Sequence, residues 1–257
     1  MIVMNARRSM VINDVRRPGR SMVGMAVLAA VLMFAVSCNP RLSNGLRKKD
    51  RDKDVAIMTT RGTIVIRLSD STPLHRDNFL LLVRKGYYDS LLFHRVIRNF
   101  MIQSGDPASR SGQPGKPLSQ GGKDGPGYTI PAEFRETLYH HRGALGAARE
   151  GDDVNPTRAS SGSQFYIVQG KRFTDAGLDS VVTYRLKGRK IPADQREVYK
   201  TMGGAPHLDQ HYTVFGEVIR GMDVVDSIAA VPTTGPPLDR PTVEVRVLKM
   251  KLIRRIK

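Results

Sequence analysis

Tryptophan is absent from this sequence of 257 residues, and cysteine occurs once, at Cys38. A single cysteine excludes an intramolecular disulfide framework and any cysteine-rich metal site. The longest apolar run, residues 22–37, has 16 residues, which is shorter than the about 20 that a membrane span requires. The chain is nevertheless long enough to bury a core without disulfides, as one large or two small domains.

Acidic residues are also scarce, with 24 Asp and Glu against 41 Lys and Arg and a formal charge of +17. Such a charge suggests a nucleic-acid or anionic-membrane partner. The excess lies at the ends, however: residues 1–38 carry +4, residues 39–54 carry +3 and residues 246–257 carry +6, whereas residues 55–245 carry only +4. A nucleic-acid reader more often has a basic stripe with interleaved aromatics in its folded body. We therefore predict no nucleic-acid partner.

The N-terminus has the pattern of an export signal. A basic segment ends at Arg20, the apolar run follows, and Cys38 comes directly after it; this order is typical of a secretory signal peptide. The residues before Cys38 resemble a bacterial lipoprotein signal. That resemblance implies that residues 1–37 are removed, that Cys38 is lipidated, and that two or more acyl chains hold the protein on a membrane. The alternative is a signal that is retained as an anchor.

Residues 38–54 continue as a polar, charged segment without apolar periodicity, which predicts a flexible tether. With this tether, the lipoprotein resemblance implies a location in the bacterial cell envelope, facing the periplasm. The predicted folded domain therefore covers residues 55–257.

Short β-rich runs separated by turn residues dominate the folded domain. Residues 55–60 and 63–68 predict a hairpin, and Thr72-Pro73 predicts the start of a helix, with Thr72 as N-cap. Residues 221–231 predict a second helix. Many short strands with two such helices indicate a mostly β domain, built as an antiparallel barrel with helical lids.

Two further features interrupt this pattern. Residues 171–204 contain helix-forming runs that begin near Thr174 and Pro192, and they predict an inserted helical element. In the last strand the apolar positions change parity between Val247 and Leu248, which predicts a β-bulge.

Three motifs suggest the chemistry. Residues 93–106 read FHRVIRNFMIQSGD, residues 162–168 read GSQFYIV, and residues 214–216 read VFG. Together they resemble the cyclophilin family of peptidyl-prolyl cis-trans isomerases, over about residues 55–253, and YTIPAEF at residues 128–134 resembles its bacterial branch. The resemblance implies a closed antiparallel eight-stranded barrel capped by two helices, with the helical element as an insertion.

The residue types agree with that chemistry. Rotation about an X–Pro bond faces a barrier of about 18–20 kcal/mol because the amide is conjugated. Twisting the bond makes the proline nitrogen a hydrogen-bond acceptor, and a guanidinium aimed at it binds the twisted form best. The resemblance assigns this catalytic role to Arg95 and the fixing of the substrate carbonyl to Gln103. Such a reaction requires no cofactor or metal, and the histidines show no ligand spacing, so we predict neither.

The resemblance also implies an apolar slot for the proline ring and a groove for the flanking peptide. His207 stands where many relatives carry Trp, which implies weak inhibition by cyclosporin, and Tyr212 stands where a family histidine is found. The backbone of Arg149 is expected to align the peptide. The full substrate-binding set is Phe100, Met101, Ala148, Arg149, Gln164, Tyr166, His207, Leu208 and Tyr212.

These observations predict a monomeric, membrane-tethered isomerase that accelerates the folding of exported, proline-containing polypeptides, because uncatalysed X–Pro isomerisation takes tens to hundreds of seconds. One alternative is an envelope-anchored binding module or chaperone for proline peptides, with incidental turnover. Another is an interaction platform built from residues 171–204. Arg95 favours the first hypothesis, because a module that only binds does not need it.

Overall fold

The computed structural model of the chain describes residues 45–112 and 125–256. The expected signal peptide, Cys38 and residues 39–44 of the expected tether lie outside the described residues. Within these residues, no helix is both long and apolar enough to cross a bilayer.

Strands dominate the described residues, with α-helices only after the second, eighth and ninth strands. The strands are β1 (Lys53–Thr59), β2 (Gly62–Leu68), β3 (Arg95–Ile97), β4 (Met101–Ser104), β5 (Thr129–Ile130), β6 (Ala144–Ala147), β7 (Ser160–Ser161), β8 (Phe165–Val168), β9 (Val214–Arg220) and β10 (Val247–Arg254). The α-helices are α1 (Pro73–Arg84), α2 (Asp175–Tyr184), α3 (Ala193–Thr201) and α4 (Met222–Ala229). Eight strands form one antiparallel sheet in the order β10-β1-β2-β9-β6-β8-β4-β3, and β5 pairs with β7.

The first hairpin and the bulge agree with the sequence. Strands β1 and β2 pair up to Thr59 opposite Gly62. On its other side, β1 places Met58 opposite Lys249 but Thr59 opposite Val247, so Leu248 has no partner in the ladder. One extra residue on one strand is a β-bulge, and the parity change in the sequence predicted it at this position.

The sheet curls around the core but remains open, where the sequence predicted a closed barrel. Its end strands are β10 and β3, and the described residues join these ends only by an isolated bridge between Leu92 and Arg246 and nearby backbone hydrogen bonds. In that bridge the hydrogen bonds to β10 and the residues just before it come from Leu91 and Phe93, and side chains satisfy the backbone of Leu92 itself. Its amide donates to Ser109 Oγ (3.1 Å), and its carbonyl accepts from Ser104 Oγ (2.9 Å).

Helix α1 starts at Pro73 as predicted, but another residue caps it. The Thr72 side chain makes no capping hydrogen bond. The Glu133 carboxylate accepts the amides of Leu74 (3.2 Å) and His75 (3.0 Å) instead, and a carboxylate at this end also complements the helix dipole. Helices α1 and α4 cover the apolar side of the sheet and enclose the main core, which includes Ile57, Ile64, Phe79, Phe165, Phe215 and Val225.

Residues 171–204 form two helices with a small core of their own. Thr174 Oγ1 accepts the amide of Gly177 (3.1 Å) and caps α2 as the sequence suggested. Gly204 forms bridges with Lys171 and with His141, so the element leaves and rejoins the sheet at one place. Its buried apolar cluster consists of Leu178, Leu186, Ile191 and Tyr199.

Candidate functional site

A cavity of about 410 Å³ opens beside the strands β3, β4 and β8. Ten of the eleven residues predicted for catalysis or substrate binding line it, and the exception is Gln164. The structure therefore brings together side chains from four separate stretches of sequence. The lining residues are Arg95, Phe100, Met101, Gln103, Ala148, Arg149, Tyr166, Arg185, His207, Leu208 and Tyr212.

Strand register positions three of these side chains in a row. Arg95 on β3 is the direct partner of Gln103 on β4, and Gln103 is in turn the partner of Tyr166 on β8. Direct partners in antiparallel strands present their side chains to the same face, about 5 Å apart. Phe100 lies in the tight turn between β3 and β4, so the turn itself brings an aromatic side chain to the rim.

Arg95 forms an ion pair with Asp239 but remains partly exposed. Its side chain is 40% exposed, and its Nε lies 3.4 Å from Asp239 Oδ2. A guanidinium has five N–H donors in a fixed plane, so an orientation set at Nε leaves further donors for a ligand in the cavity. Asp239 had no motif in the sequence. Its carbonyl also accepts the amide of Val96 (2.9 Å), which ties this loop to β3.

Gln103 connects the cavity to a second one. Its Nε2 donates to Gln164 Oε1 at 3.0 Å, and Gln164 lines an adjoining cavity of about 500 Å³. The two cavities share Gln103, Ala148 and Arg149. Two adjoining cavities with shared lining residues offer room for a ligand longer than a single residue.

Arg149 has a role that the sequence did not indicate. Its side chain is only 4% exposed, and its Nε and Nη1 donate to the carbonyls of His211 and Glu150, each at 2.8 Å. Its Nη2 lies 2.7 Å from Asp152. The guanidinium carbon stands 4.5 Å from the ring centre of Tyr212, a favourable cation–π distance. The side chain thus packs on the Tyr212 ring, whereas the sequence prediction concerned only the backbone of Arg149.

His207 forms one wall by ring contact. Its imidazole is 5.2 Å from the Phe100 ring, tilted by 35°. Burial first, and then the charge of Arg185, lower the pKa of His207 to about 4. The ring is therefore neutral near pH 7 and behaves as a weakly polar wall of the cavity.

Tyr166 is fixed from behind by a buried hydrogen-bond relay. Its hydroxyl lies 2.9 Å from His140 Nε2, and His140 Nδ1 lies 2.8 Å from Asp209 Oδ1. Asp209 Oδ2 accepts the hydroxyl of Tyr199 at 2.6 Å. Burial, together with the charges of Tyr212 and Asp209, holds the pKa of Tyr166 well above its ordinary value. We call Tyr166, His140, Asp209 and Tyr199 the relay.

Sequence reasoning missed Arg185 and three of the four relay residues, His140, Asp209 and Tyr199. Arg185 ends helix α2 and lines the cavity from the inserted element. Nothing in the sequence near position 185 marks it as a site residue, since the contact depends on how the insertion packs. His140 was noted only for its lack of ligand spacing. Among the residues described, no group of three or more metal-ligating side chains is present.

Comparison with known families gives one match over most of the chain. The family model described as "Cyclophilin type peptidyl-prolyl cis-trans isomerase/CLD" matches residues 55–252. The solved structure of a cyclophilin type peptidyl-prolyl cis-trans isomerase from Cryptosporidium parvum has a similar fold, with a TM-score of 0.56 and 24% identity over 79% of this chain and 99% of that one.

Curated bacterial proteins are similar as well. A putative peptidyl-prolyl cis-trans isomerase of Staphylococcus haemolyticus is 33% identical over 74% of this chain and 86% of its own length. Its Staphylococcus aureus USA300 counterpart is 34% identical, over 74% and 87%. A putative bifunctional phosphatase/peptidyl-prolyl cis-trans isomerase of Streptococcus pyogenes is 36% identical, but the chain spans only 37% of that relative's length.

Proposed function

Because the chain belongs to the cyclophilin-type peptidyl-prolyl cis-trans isomerase family, we propose that it catalyses X–Pro rotation through Arg95, which donates a hydrogen bond to the twisted prolyl nitrogen. One observation carries this assignment. Arg95, Gln103 and Tyr166 stand side by side on three adjacent strands and line one cavity.

The energetics suit this arrangement. A planar prolyl amide offers its nitrogen lone pair to conjugation, and only the twisted form offers it to a donor. A donor that meets only the twisted form lowers the barrier without stabilising the ground state. A million-fold acceleration corresponds to about 8 kcal/mol, so Arg95 acts together with Gln103, which holds the substrate carbonyl.

The apolar part of the cavity is proposed to receive the proline ring. Phe100, Met101, Leu208 and Tyr166 supply ring and thioether surfaces, with His207 and Tyr212 at the sides. The peptide continues past Ala148 and Arg149 into the second cavity, above Gln164. A solved relative of similar fold was determined in the presence of the dipeptide Ala-Pro, which supports a proline-containing substrate.

The assay compares Arg95→Ala with a matched control in the full-length chain. Arg98, three residues further on, is exposed and is not among the residues lining the cavity. In a protease-coupled proline assay, Arg95→Ala is expected to lose about 100- to 1,000-fold in kcat/KM, as other single transition-state donors do. Arg98→Ala is expected to match the parent.

The outcome also decides between catalysis and binding alone. Equal rates for the parent and Arg95→Ala would reject the catalytic role of this residue. If the parent itself bound prolyl peptides without accelerating their isomerisation, the alternative of an envelope-anchored binding module or chaperone would be favoured.

We further propose that the protein works as a monomer on exported polypeptides, held to a membrane of the cell envelope through lipidated Cys38. The support is the order of basic segment, apolar run and cysteine in residues 1–38. Cys38→Ser is expected to abolish incorporation of labelled fatty acid and to release the protein from the membrane fraction. Unchanged labelling would reject lipidation at Cys38. Loss of labelling with full membrane retention would favour a retained signal as the anchor.

A further inference from the structure

Near its end, the inserted element contains a buried tyrosine, Tyr199, whose hydroxyl group is not required for packing. Tyr199 on α3 is fully buried among the apolar side chains of the element. Phenylalanine would fill almost the same volume without a polar group to satisfy. The Tyr199 hydroxyl instead donates to Asp209 Oδ2 at 2.6 Å. Asp209 lies outside the insertion and directly follows the cavity residue Leu208, so this hydrogen bond links the insertion to the cavity segment.

The hydrogen bonds continue without a break to the cavity wall. Asp209 Oδ1 accepts both the backbone amide and Nδ1–H of His140, each at 2.8 Å. With Nδ1 bonded to Asp209, Nε2 on the other side of the ring is paired with the hydroxyl of Tyr166 at 2.9 Å. The four relay residues are at most 4% exposed, so water does not compete for these bonds. In a buried network each bond fixes the direction of the next.

Close backbone contacts also pack the end of the insertion against His140 and Tyr199. A Cβ on Gly204 would lie 2.3 Å from the His140 carbonyl oxygen and 2.6 Å from Tyr199 Cε1. Only glycine permits this approach. Arg189, in the link between α2 and α3, donates to the carbonyl of Asp209. The insertion therefore holds Asp209 from two sides.

We propose that Tyr199 is a positioning residue for the prolyl cavity: through Asp209 and His140 it fixes the Tyr166 ring, so the inserted element sets the shape of the substrate slot. This inference rests on the proposed role of the cavity as the slot for proline. Tyr199 does not touch substrate. Its effect passes through three hydrogen bonds to a ring that lines the cavity.

The test uses two tyrosine-to-phenylalanine substitutions in the same insertion. Tyr199→Phe removes the donor to Asp209. Tyr184→Phe is the matched control, since Tyr184 lies on α2 and is 81% exposed. Tyr199→Phe is expected to raise KM for a prolyl peptide roughly 3- to 10-fold with little change in kcat, because a displaced wall weakens ground-state and transition-state binding alike. Tyr184→Phe is expected to match the parent.

A double-mutant cycle separates positioning from simple stabilisation. Tyr166→Phe breaks the relay at the cavity end without altering the insertion. In that background Tyr199→Phe is expected to have no further effect on KM, because residues of one network are not additive. A rise in KM of the same factor in both backgrounds would overturn the proposal, as would a parental KM for Tyr199→Phe.

A second variant and a control on the site complete the experiment. Arg189→Gln removes the guanidinium bond to the Asp209 carbonyl and is expected to raise KM by roughly 2- to 3-fold. This variant replaces Tyr199→Phe if that protein fails to fold. An unchanged KM for Arg189→Gln would then overturn the proposal. Arg95→Ala tests the catalytic site itself. Inactivity of Arg95→Ala with a parental KM for Tyr199→Phe would refute the positioning role alone, whereas full activity of Arg95→Ala would refute the proposed function.

Discussion

Replacing Gly146 by alanine is expected to dislodge the cavity wall. Gly146 on β6 is the direct partner of Tyr166 on β8. A Cβ at this position would lie 2.3 Å from Tyr166 Cζ and 2.5 Å from its Cε2 and Oη. Carbon atoms pack no closer than about 3.5 Å. The Tyr166 ring must therefore move by about 1 Å, and its hydroxyl cannot keep its bond to His140.

The size of the effect follows from two contributions. Inserting a methyl group into a well-packed site costs about 1–3 kcal/mol. Leaving the His140 nitrogen without its buried partner costs about 1–3 kcal/mol more. Partial relaxation makes the sum smaller than its maximum, so we expect a loss of about 2–4 kcal/mol. For a domain of this size that corresponds to roughly 5–15 °C in Tm.

Thermal unfolding and kcat/KM for a prolyl peptide measure the two consequences in the same samples. Gly177→Ala is the control, because Gly177 lies in the first turn of α2 and a Cβ there would meet only Thr174 Oγ1 at 3.3 Å and Phe173 at 3.7 Å. The Tm of this control is expected to stay within a few degrees of the parental Tm. In a Tyr166→Leu background, which has no ring to displace, Gly146→Ala should cost much less. A parental Tm and kcat/KM for Gly146→Ala would refute the reasoning.

Three other predictions concern charge and the cavity wall. For substrate peptides with an acidic or a neutral residue beside proline, Arg185→Gln should lower the ratio of their kcat/KM values by up to about fivefold, since an exposed ion pair is worth about 0.2–1 kcal/mol. A ratio equal to that of the parent in low salt would contradict this. Burial and then the charges of Arg240 and Arg95 lower the pKa of His94 to about 3, so the unfolded chain binds more protons below pH 6.5. The free energy of unfolding should therefore fall as the pH drops, by about 2–3 kcal/mol between pH 6.5 and 4.5. Urea unfolding at both pH values should show this loss for the parent and a smaller one for His94→Leu. Cyclosporin should inhibit weakly, and His207→Trp should strengthen the inhibition; strong inhibition of the parent would contradict the resemblance at this position.

Features encoded by nearby residues could be predicted from the sequence. Residues 93–106 contain β3, its turn and β4, so their motif also fixes the pairing of Arg95 with Gln103. The bulge at Leu248 follows from side-chain parity, because strands alternate with a period of two residues. Both signals arise within about a dozen residues and need no knowledge of the packing.

Features that depend on distant segments could not be predicted in this way. Thr72 has the residue type and position of an N-cap, yet Glu133, from a distant loop, takes that place. Val96 of β3 donates its amide to the carbonyl of Asp239, in the loop before β10, and not to β10 itself, so no continuous ladder closes the predicted barrel. In each case a residue distant in sequence forms the hydrogen bond that the local pattern assigns to a nearby one. The local sequence does not identify that distant residue.

The relay shows why the insertion cannot be judged as a separate module. Asp209 is buried, and a buried carboxylate is tolerated only when hydrogen bonds compensate its lost hydration. The donors to its carboxylate come from His140, in the main sheet region, and from Tyr199, in the insertion. Deleting residues 171–204 would leave Oδ2 without its donor beside the cavity wall. Activity that survives this deletion would mark the insertion as a partner site, as the platform hypothesis has it, whereas the relay requires binding in the substrate slot to weaken.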